Sequence, residues 1–393
     1  MKILAMRFGA LGDVLNVFPA IRGLKAAMPE AEVSWLVEEA AAPLVQANAD
    51  VAKVFVMPRR RWRAAMFRPG RMLPLPLEVS RFVREIRREK YDVALDFQCT
   101  LKSGVTGALT GIARRIAFAP PHGREMSHLF ATERVKLPSL PMPRALKNLA
   151  LVRALAPQAQ CEGPRLRFSR EDSDFADALM RQVRGGARYL VAMHPGTSDF
   201  GRFKRWPAQR YADVARLLRE KLGAATLVTW GPNERDLAER VVSLSHGAAT
   251  VAPETTLTQL GEVIRRLDLF VASDTGPLHL AAVLGRAVVA IFGPKDPVIY
   301  GPYGCPGIIV RKDLDCSPCK KRRCRHVDCI MKIQAEEVLE AAVTMLERNA
   351  SAGRGNSGAA GPFGNAEIPN PKSQTNPKSK IQNPKCELGQ SES

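Results

Sequence analysis

KILAMRFGALGDVLN, residues 2–16, opens on a short apolar run and then holds two glycines and one carboxylate. The apolar residues of 2–8, bounded by Gly9, read as a buried strand. A helical pattern follows, with Val14, Val17, Ile21 and Leu24 on one face and Pro19 placed to bend it. The backbone therefore turns at the carboxyl end of a strand, where open α/β sheets bind ligands. The stretch is neither G-x-G-x-x-G nor a P-loop, so it does not by itself announce a nucleotide. Asp13 falls near a helix start, where a cap and a catalytic carboxylate are both open readings.

Outward from this stretch the alternation continues. Residues 33–37 (VSWLV), 51–56 (VAKVFV) and 91–97 (YDVALDF) are further strand candidates. Pro138, Pro141, Pro143, Pro157 and Pro164 crowd the region before a boundary placed at 165/166. A second set then begins with a strand at 189–193. A helix follows, with Pro207 expected at its first position, Gly223 at its end, and Tyr211, Val214, Leu218 and Leu222 on one face. Strands at 225–230, 267–273 and 287–292 alternate with helices at 233–246 and 277–285. The expected architecture is two Rossmann-like α/β domains, 1–165 and 166–334, with parallel sheets facing across a cleft. A C-terminal helix is expected at 335–349. Residues 350–393 collapse to Gly, Asn, Pro, Lys and Ser with a recurring NPK, and are expected to be disordered.

The chain has 393 residues, 46% hydrophobic and 25% charged, as in ordinary globular proteins. No run of about 18 apolar residues predicts a membrane span. Arg7 interrupts the first apolar stretch and no small-residue cleavage site follows, so a cytoplasmic protein is expected. The net charge of +19 favours polyanionic partners. It is concentrated in residues 58–90, where eleven basic residues, among them Arg59, Arg60, Arg61 and Arg63, face three glutamates. Trp62 and Phe67 are interleaved with them, so an anion-facing surface stands beside the plainer reading of a solvated helix face.

The second half carries three motifs, each after a strand. In MHPGTSDFGRFKRWP (193–207), Gly196 lets a loop approach a ligand, Thr197 and Ser198 offer hydroxyl and N–H donors, and Lys204 offers a positive charge. In ASDTGPLHLAAVLG (272–285), Asp274, Thr275 and Gly276 lead into a helix whose free N–H groups favour an anion, with His279 in its first turn. In WGPNERD (230–236), Glu234 reads either as a ribose hydroxyl acceptor or as a solvated carboxylate at a helix start.

Taken in order, GALGDVLNVFPAI, HPGTS, KRWP, WGPNERD, SDTGPLHLAAVLG and AIFGP make residues 1–348 resemble the ADP-heptose:lipopolysaccharide heptosyltransferases, glycosyltransferase family 9. The resemblance implies the two-domain GT-B fold and transfer of heptose from ADP-heptose to the lipopolysaccharide inner core with inversion. It matches Asp13 to the general base. Thr197, Ser198, Lys204, Thr275, Gly276 and His279 match the positions that bind the diphosphate, and Asp274 and Glu234 positions near donor sugar and ribose. Fixed donors of this kind stabilise a leaving diphosphate with no metal or other cofactor. The implied acceptor carries carboxylates of 3-deoxy-manno-octulosonic acid and phosphates of lipid A, anchored in the inner membrane. Arg59, Arg60, Arg61 and Arg63 are then expected to face acceptor and bilayer, placing a monomeric enzyme peripherally on the cytoplasmic surface.

Eight cysteines remain to be placed, four of them clustered as Cys316, Cys319, Cys324 and Cys329. The spacing C-x2-C-x4-C-x4-C suits four thiolates around one zinc ion, with an iron–sulfur cluster or reduced thiols as alternatives. With Lys320, Lys321, Arg322, Arg323 and Arg325 between them, a zinc knuckle binding nucleic acid is a rival reading. A knuckle leaves both α/β halves unexplained, so a structural metal and no nucleic-acid partner are expected. A GT-B transferase using a different nucleotide sugar is the other alternative.

Overall fold

A computed structural model of the chain describes residues 1–66, 75–138, 141–319, 324 and 326–353. The expected disordered tail from 354 onward, and Phe67, Arg68, Arg71 and the basic residues 320–323 and 325, lie outside those residues.

Two six-stranded sheets organise the chain. The first holds β1 (Lys2–Met6), β2 (Glu32–Glu38), β3 (Lys53–Met57), β4 (Val93–Asp96), β5 (Arg114–Phe118) and β6 (Glu133–Val135), in spatial order β3-β2-β1-β4-β5-β6. The second holds β7 (Tyr189–His194), β8 (Ala224–Val228), β9 (Ala249–Val251), β10 (Leu269–Ser273), β11 (Val288–Phe292) and β12 (Gly307–Arg311), in order β12-β11-β10-β7-β8-β9. Every pairing is parallel. The central strands are therefore covered on both faces and read as unbroken apolar runs, as in Ile3–Met6 and Leu269–Ala272, all buried. Strand order reverses between β1 and β4 and again between β7 and β10. Such switch points open crevices at the carboxyl ends of the strands.

The helix expected after Gly9 is two helices, α1 (Leu11–Leu15) and α2 (Phe18–Ala27). Pro19 has no N–H to donate and is accommodated in the first turn of α2, so the pattern breaks before it instead of bending through it. Between β2 and β4 lie α3 (Ala42–Gln46), α4 (Arg59–Met66) and α5 (Leu75–Arg88). Then come α6 (Leu101–Leu109), α7 (Arg144–Arg153) and α8 (Arg170–Arg184). Among the second sheet's helices, α9 (Ala208–Leu222) has Pro207 as its N-cap, one position earlier than expected, and ends on Gly223 at φ +60. It is followed by α10 (Arg235–Leu244), α11 (Leu257–Arg265), α12 (Gly276–Val283) and α13 (Pro297–Tyr300). Two more, α14 (Asp328–Met331) and α15 (Ala335–Gly353), close the described chain.

One apolar cluster includes Ile3, Val33 and Leu95 from the first sheet and Leu190, Phe270 and Phe292 from the second, so the two halves share an interior. No helix among the described residues is long and apolar enough to cross a membrane.

Trp62 departs from the sequence expectation. It is partly buried against the core and meets Phe82 edge-on at 5.5 Å, tying α4 to α5, so it packs instead of facing anions.

Candidate active site

The first crevice is built at the carboxyl ends of β1 and β4. Arg7 follows β1 directly, is buried, and donates from Nη1 to the Phe97 carbonyl at 2.8 Å. Its Nη2 lies 2.5 Å from Asp13 Oδ2. The other Asp13 oxygen is paired with Arg144, the first residue of α7. The helix cap is Ala10, and Asp13, in the first turn, is engaged by two guanidinium groups. Asn148, one turn beyond Arg144, donates to the Asn16 carbonyl at 2.9 Å and pins α7 onto α1.

The second crevice is built after β7 and β10. Lys204 Nζ donates to the Asp274 carbonyl at 2.5 Å and to its Oδ2 at 3.0 Å. His279 Nε2 stands 3.4 Å from Asp274 Oδ1. Burial opposes the charged form of Asp274, but the His279 ring and the Lys204 ammonium outweigh it and hold the carboxyl well below the usual range. Asp274 thus stays ionised and keeps Lys204 beside the start of α12. There the Thr275 hydroxyl is buried without a hydrogen-bond partner among the described residues. An unsatisfied hydroxyl at a helix start, beside a lysine, is a ready donor for an anion.

The two crevices meet. A Cβ on Gly12 would stand 2.7 Å from the His279 ring, and one on Gly276 would stand 2.7 Å from the Leu11 side chain. The absence of side chains at these two positions lets α1 and α12 touch. Asn16 Nδ2 reaches His279 Nδ1 at 3.4 Å across the seam. Arg144, while paired with Asp13, also stacks on the Tyr300 ring of the other half, 4.4 Å from its centroid. The helix that carries Asp13 therefore packs against the start of α12, where Lys204 and the Thr275 hydroxyl stand.

The sequence profile of glycosyltransferase family 9 (heptosyltransferase) matches residues 79–329. The chain belongs to glycosyltransferase family 9. Lipopolysaccharide heptosyltransferase 1 of Escherichia coli strain K12 is 29% identical over 79% of this chain and 93% of its own. Among solved structures, a family 9 glycosyltransferase from Veillonella parvula superposes with a TM-score of 0.75 at 21% identity, covering 88% of this chain and 97% of its own. E. coli heptosyltransferase WaaC with ADP gives 0.68 at 24% identity, covering 89% of this chain and 100% of its own. These likenesses show the GT-B fold of two facing α/β domains.

In this family 9 glycosyltransferase the other expected positions are placed unevenly. Thr197 is buried, and its hydroxyl accepts from Arg205 Nε at 3.0 Å. Ser198 is exposed at the start of a short 3-10 turn, Asp199–Lys204. Glu234 is buried rather than solvated. It accepts from the Gly231 N–H at 3.1 Å, pairs with Arg205 at 3.3 Å, and lies 3.6 Å from His194 Nε2. Burial, then Arg205, pushes His194 down to about 4, so the ring is neutral at pH 7. A Cβ on Gly196 would collide with the Glu234 carboxylate. Gly196→Ala must displace that buried charge from its partners, so a loss of roughly 1–3 kcal/mol of stability is expected in denaturant unfolding.

Arg59 pairs with Glu38 at 2.8 Å and Arg61 with Glu78 at 2.5 Å. Arg60 and Arg63 are exposed on the same helix. The cysteines sit under the loop that follows β11. The Cys319 N–H donates to the Pro294 carbonyl at 2.8 Å, and the Ser317 hydroxyl to that of Gly293 at 2.8 Å. Burial, then the neighbouring Cys319, Cys316 and Cys324, raises the Cys329 thiol. Among the described residues no group of three or more His, Cys, Asp or Glu is placed to hold a metal ion.

Sequence reading passed over Arg7, Arg144, Asn16, His194 and Arg205. Arg7 and Asn16 were visible as polar residues flanking GALGD. Arg144 had no local signal, because its role comes from α7 docking against α1.

Proposed function

We propose that this glycosyltransferase moves heptose from ADP-heptose to the lipopolysaccharide inner core, inverting the anomeric centre. The observation that carries the reading is the seam at which α1, the helix bearing Asp13, packs against the start of α12. The names of the E. coli relative and of the ADP-bound structure support the donor and acceptor classes. Lys204, the Thr275 hydroxyl and the N–H groups opening α12 hold the diphosphate and take up the charge that builds on it as the glycosidic bond breaks. Asp13, on the opposite side, takes the proton from the attacking acceptor hydroxyl. Attack from the face away from the diphosphate gives inversion.

A coupled assay of ADP release with ADP-heptose and a lipid A–Kdo acceptor tests the reaction, and product NMR reads the anomeric configuration. Turnover with another nucleotide sugar in place of ADP-heptose would replace the donor. The basic helix α4, with α5, is proposed to face the acceptor's phosphates and the anionic bilayer, each well-placed cation contributing about 1 kcal/mol. Replacing Arg59, Arg60, Arg61 and Arg63 by Ser is expected to raise the acceptor KM by roughly tenfold or more and leave the ADP-heptose KM unchanged. Arg60 and Arg63 are expected to carry more of the effect, since Arg59 and Arg61 already hold glutamates. An unchanged acceptor KM would sink this role.

A further inference from the structure

Arg7 and Arg144 take one oxygen each of Asp13, and they are anchored differently. Arg7 is fixed within its own lobe, its Nη1 donating to the Phe97 carbonyl at 2.8 Å. Arg144 opens α7, and beyond Asp13 its guanidinium leans on the other lobe, 4.4 Å from the centroid of the Tyr300 ring. Tyr300 is itself firmly placed. It ends α13, whose cap Asp296 accepts from the Val298 N–H at 2.9 Å, and its own N–H donates to the Asp296 carbonyl at 2.9 Å. A Cβ on the next residue, Gly301, would stand 2.4 Å from the Pro297 carbonyl oxygen, so the chain leaves the ring through a turn with no room for a side chain. The ring packs, partly buried, against the interior that both lobes share.

A second cation reaches the same ring. Lys295 Nζ, in the loop between β11 and α13, lies 5.3 Å from the Tyr300 centroid and 5.8 Å from that of Phe203. Phe203 precedes Lys204 in the turn Asp199–Lys204, and Lys204 holds Asp274. Contacts therefore run from Asp13 through Arg144, Tyr300 and Lys295 to the neighbour of Lys204. Along this chain, the step from Arg144 to Tyr300 is the one that crosses between lobes. Burying one guanidinium beside another is unfavourable, and an aromatic face relieves part of that cost. Burial, then Arg7, lowers the Arg144 guanidinium, while Tyr300 and Asp274 act the other way.

We propose that Tyr300 is a positioning residue for the transfer, its ring holding the Arg144 guanidinium so that Arg144 in turn fixes the Asp13 carboxylate. This rests on the general-base reading above and deepens it. A base must lie within hydrogen-bond reach of the hydroxyl it deprotonates, and a misplacement of about 1 Å can cost roughly 100-fold in rate. Arg7 alone leaves the carboxylate free to swing about one bonded oxygen, and Arg144 fixes the other. Because Arg144 is held from the second lobe, the base is set only when that lobe, with the turn bearing Lys204, is seated against the first. A mere packing role would be met by any apolar side chain of similar size.

The test uses the full chain in the ADP-release assay. Tyr300→Leu keeps an apolar side chain and removes the ring. Its kcat is expected to fall about tenfold, the effect of losing a partly desolvated cation–π contact. Its calorimetric affinity for ADP is expected to stay within about threefold of the wild type. Tyr300→Phe keeps the ring and is expected to restore kcat to within about threefold. In an Arg144→Gln chain, whose kcat is already reduced, adding Tyr300→Leu should change kcat less than about twofold, since the two side chains act as one unit. A Tyr300→Leu chain with the wild-type kcat, whatever its melting temperature, overturns the proposal. So does a loss that Tyr300→Phe fails to restore, or one that is undiminished in the Arg144→Gln chain. Failure of the base itself reads differently. Full turnover in Asp13→Asn removes the base, and with it anything that Tyr300 positions. Lost turnover in Asp13→Asn beside full turnover in Tyr300→Leu keeps the base and removes the positioning role.

Discussion

Asp13→Asn is expected to lower the turnover number for heptosyl transfer about 10³-fold, within the 10²- to 10⁴-fold range of positioned general bases, while ADP-heptose binds as before. That is about 4 kcal/mol of transition-state stabilisation. The amide keeps the shape of the carboxylate but cannot accept the proton. The ADP-release assay reads kcat, and calorimetry with ADP reads the donor site proposed at the start of α12. Stability must be measured alongside, because the substitution leaves Arg7, already pushed down to about 10 by burial and by Arg124, facing a neutral group. A fall in stability with turnover intact within threefold would make Asp13 a counter-ion for Arg7 and Arg144 and nothing more. A large fall in kcat with an unchanged donor affinity fits the base.

Lys204→Met should cost roughly 10²- to 10³-fold in kcat/KM, the range seen when one preorganised donor to developing negative charge is removed. Here the donor affinity falls too, which separates this variant from Asp13→Asn in the same pair of assays. Its pH behaviour carries a second reading. Asp274 is buried and is held in the charged form by His279 and Lys204. A carboxyl depressed in the folded state adds stability above its unfolded pKa, and that stability is lost as pH falls through the folded value. Without Lys204 the depression shrinks, so the acid-unfolding midpoint should move to higher pH. A variant whose acid unfolding matches the wild type, with normal ADP binding, would remove Lys204 from the site.

The alternation of apolar runs with helical faces placed eight of the twelve strands, because buried parallel strands leave continuous apolar segments bounded by glycine and proline; β5, β6, β9 and β12, at or next to the sheet edges and only partly buried, carry no such run and were missed. Lys204, Asp274, Thr275 and His279 were readable for a related reason. Asp274 and Thr275 directly follow β10 and His279 lies in the helix that comes next, so chain direction already puts them at the carboxyl edge of the sheet, whereas Lys204 reaches Asp274 from the end of the turn that follows β7. Glu234 was only half readable, since its buried bonds to Gly231, Arg205 and His194 depend on how three loops converge. Arg144 was invisible as a partner of Asp13. It sits on a helix far along the chain from GALGD, and only the docking of that helix, through Asn148 and Asn16, brings it to Asp13. Trp62 shows the opposite error, an aromatic among arginines that reads as surface and turns out to pack on Phe82.

The interior that joins Ile3 of one lobe to Phe292 of the other bears on how the molecule comes apart. Each lobe serves as a wall of its neighbour's oily lining. Melting one strips solvent protection from the other, so neither half can persist as an independent remnant, and both should surrender their order in a single cooperative step.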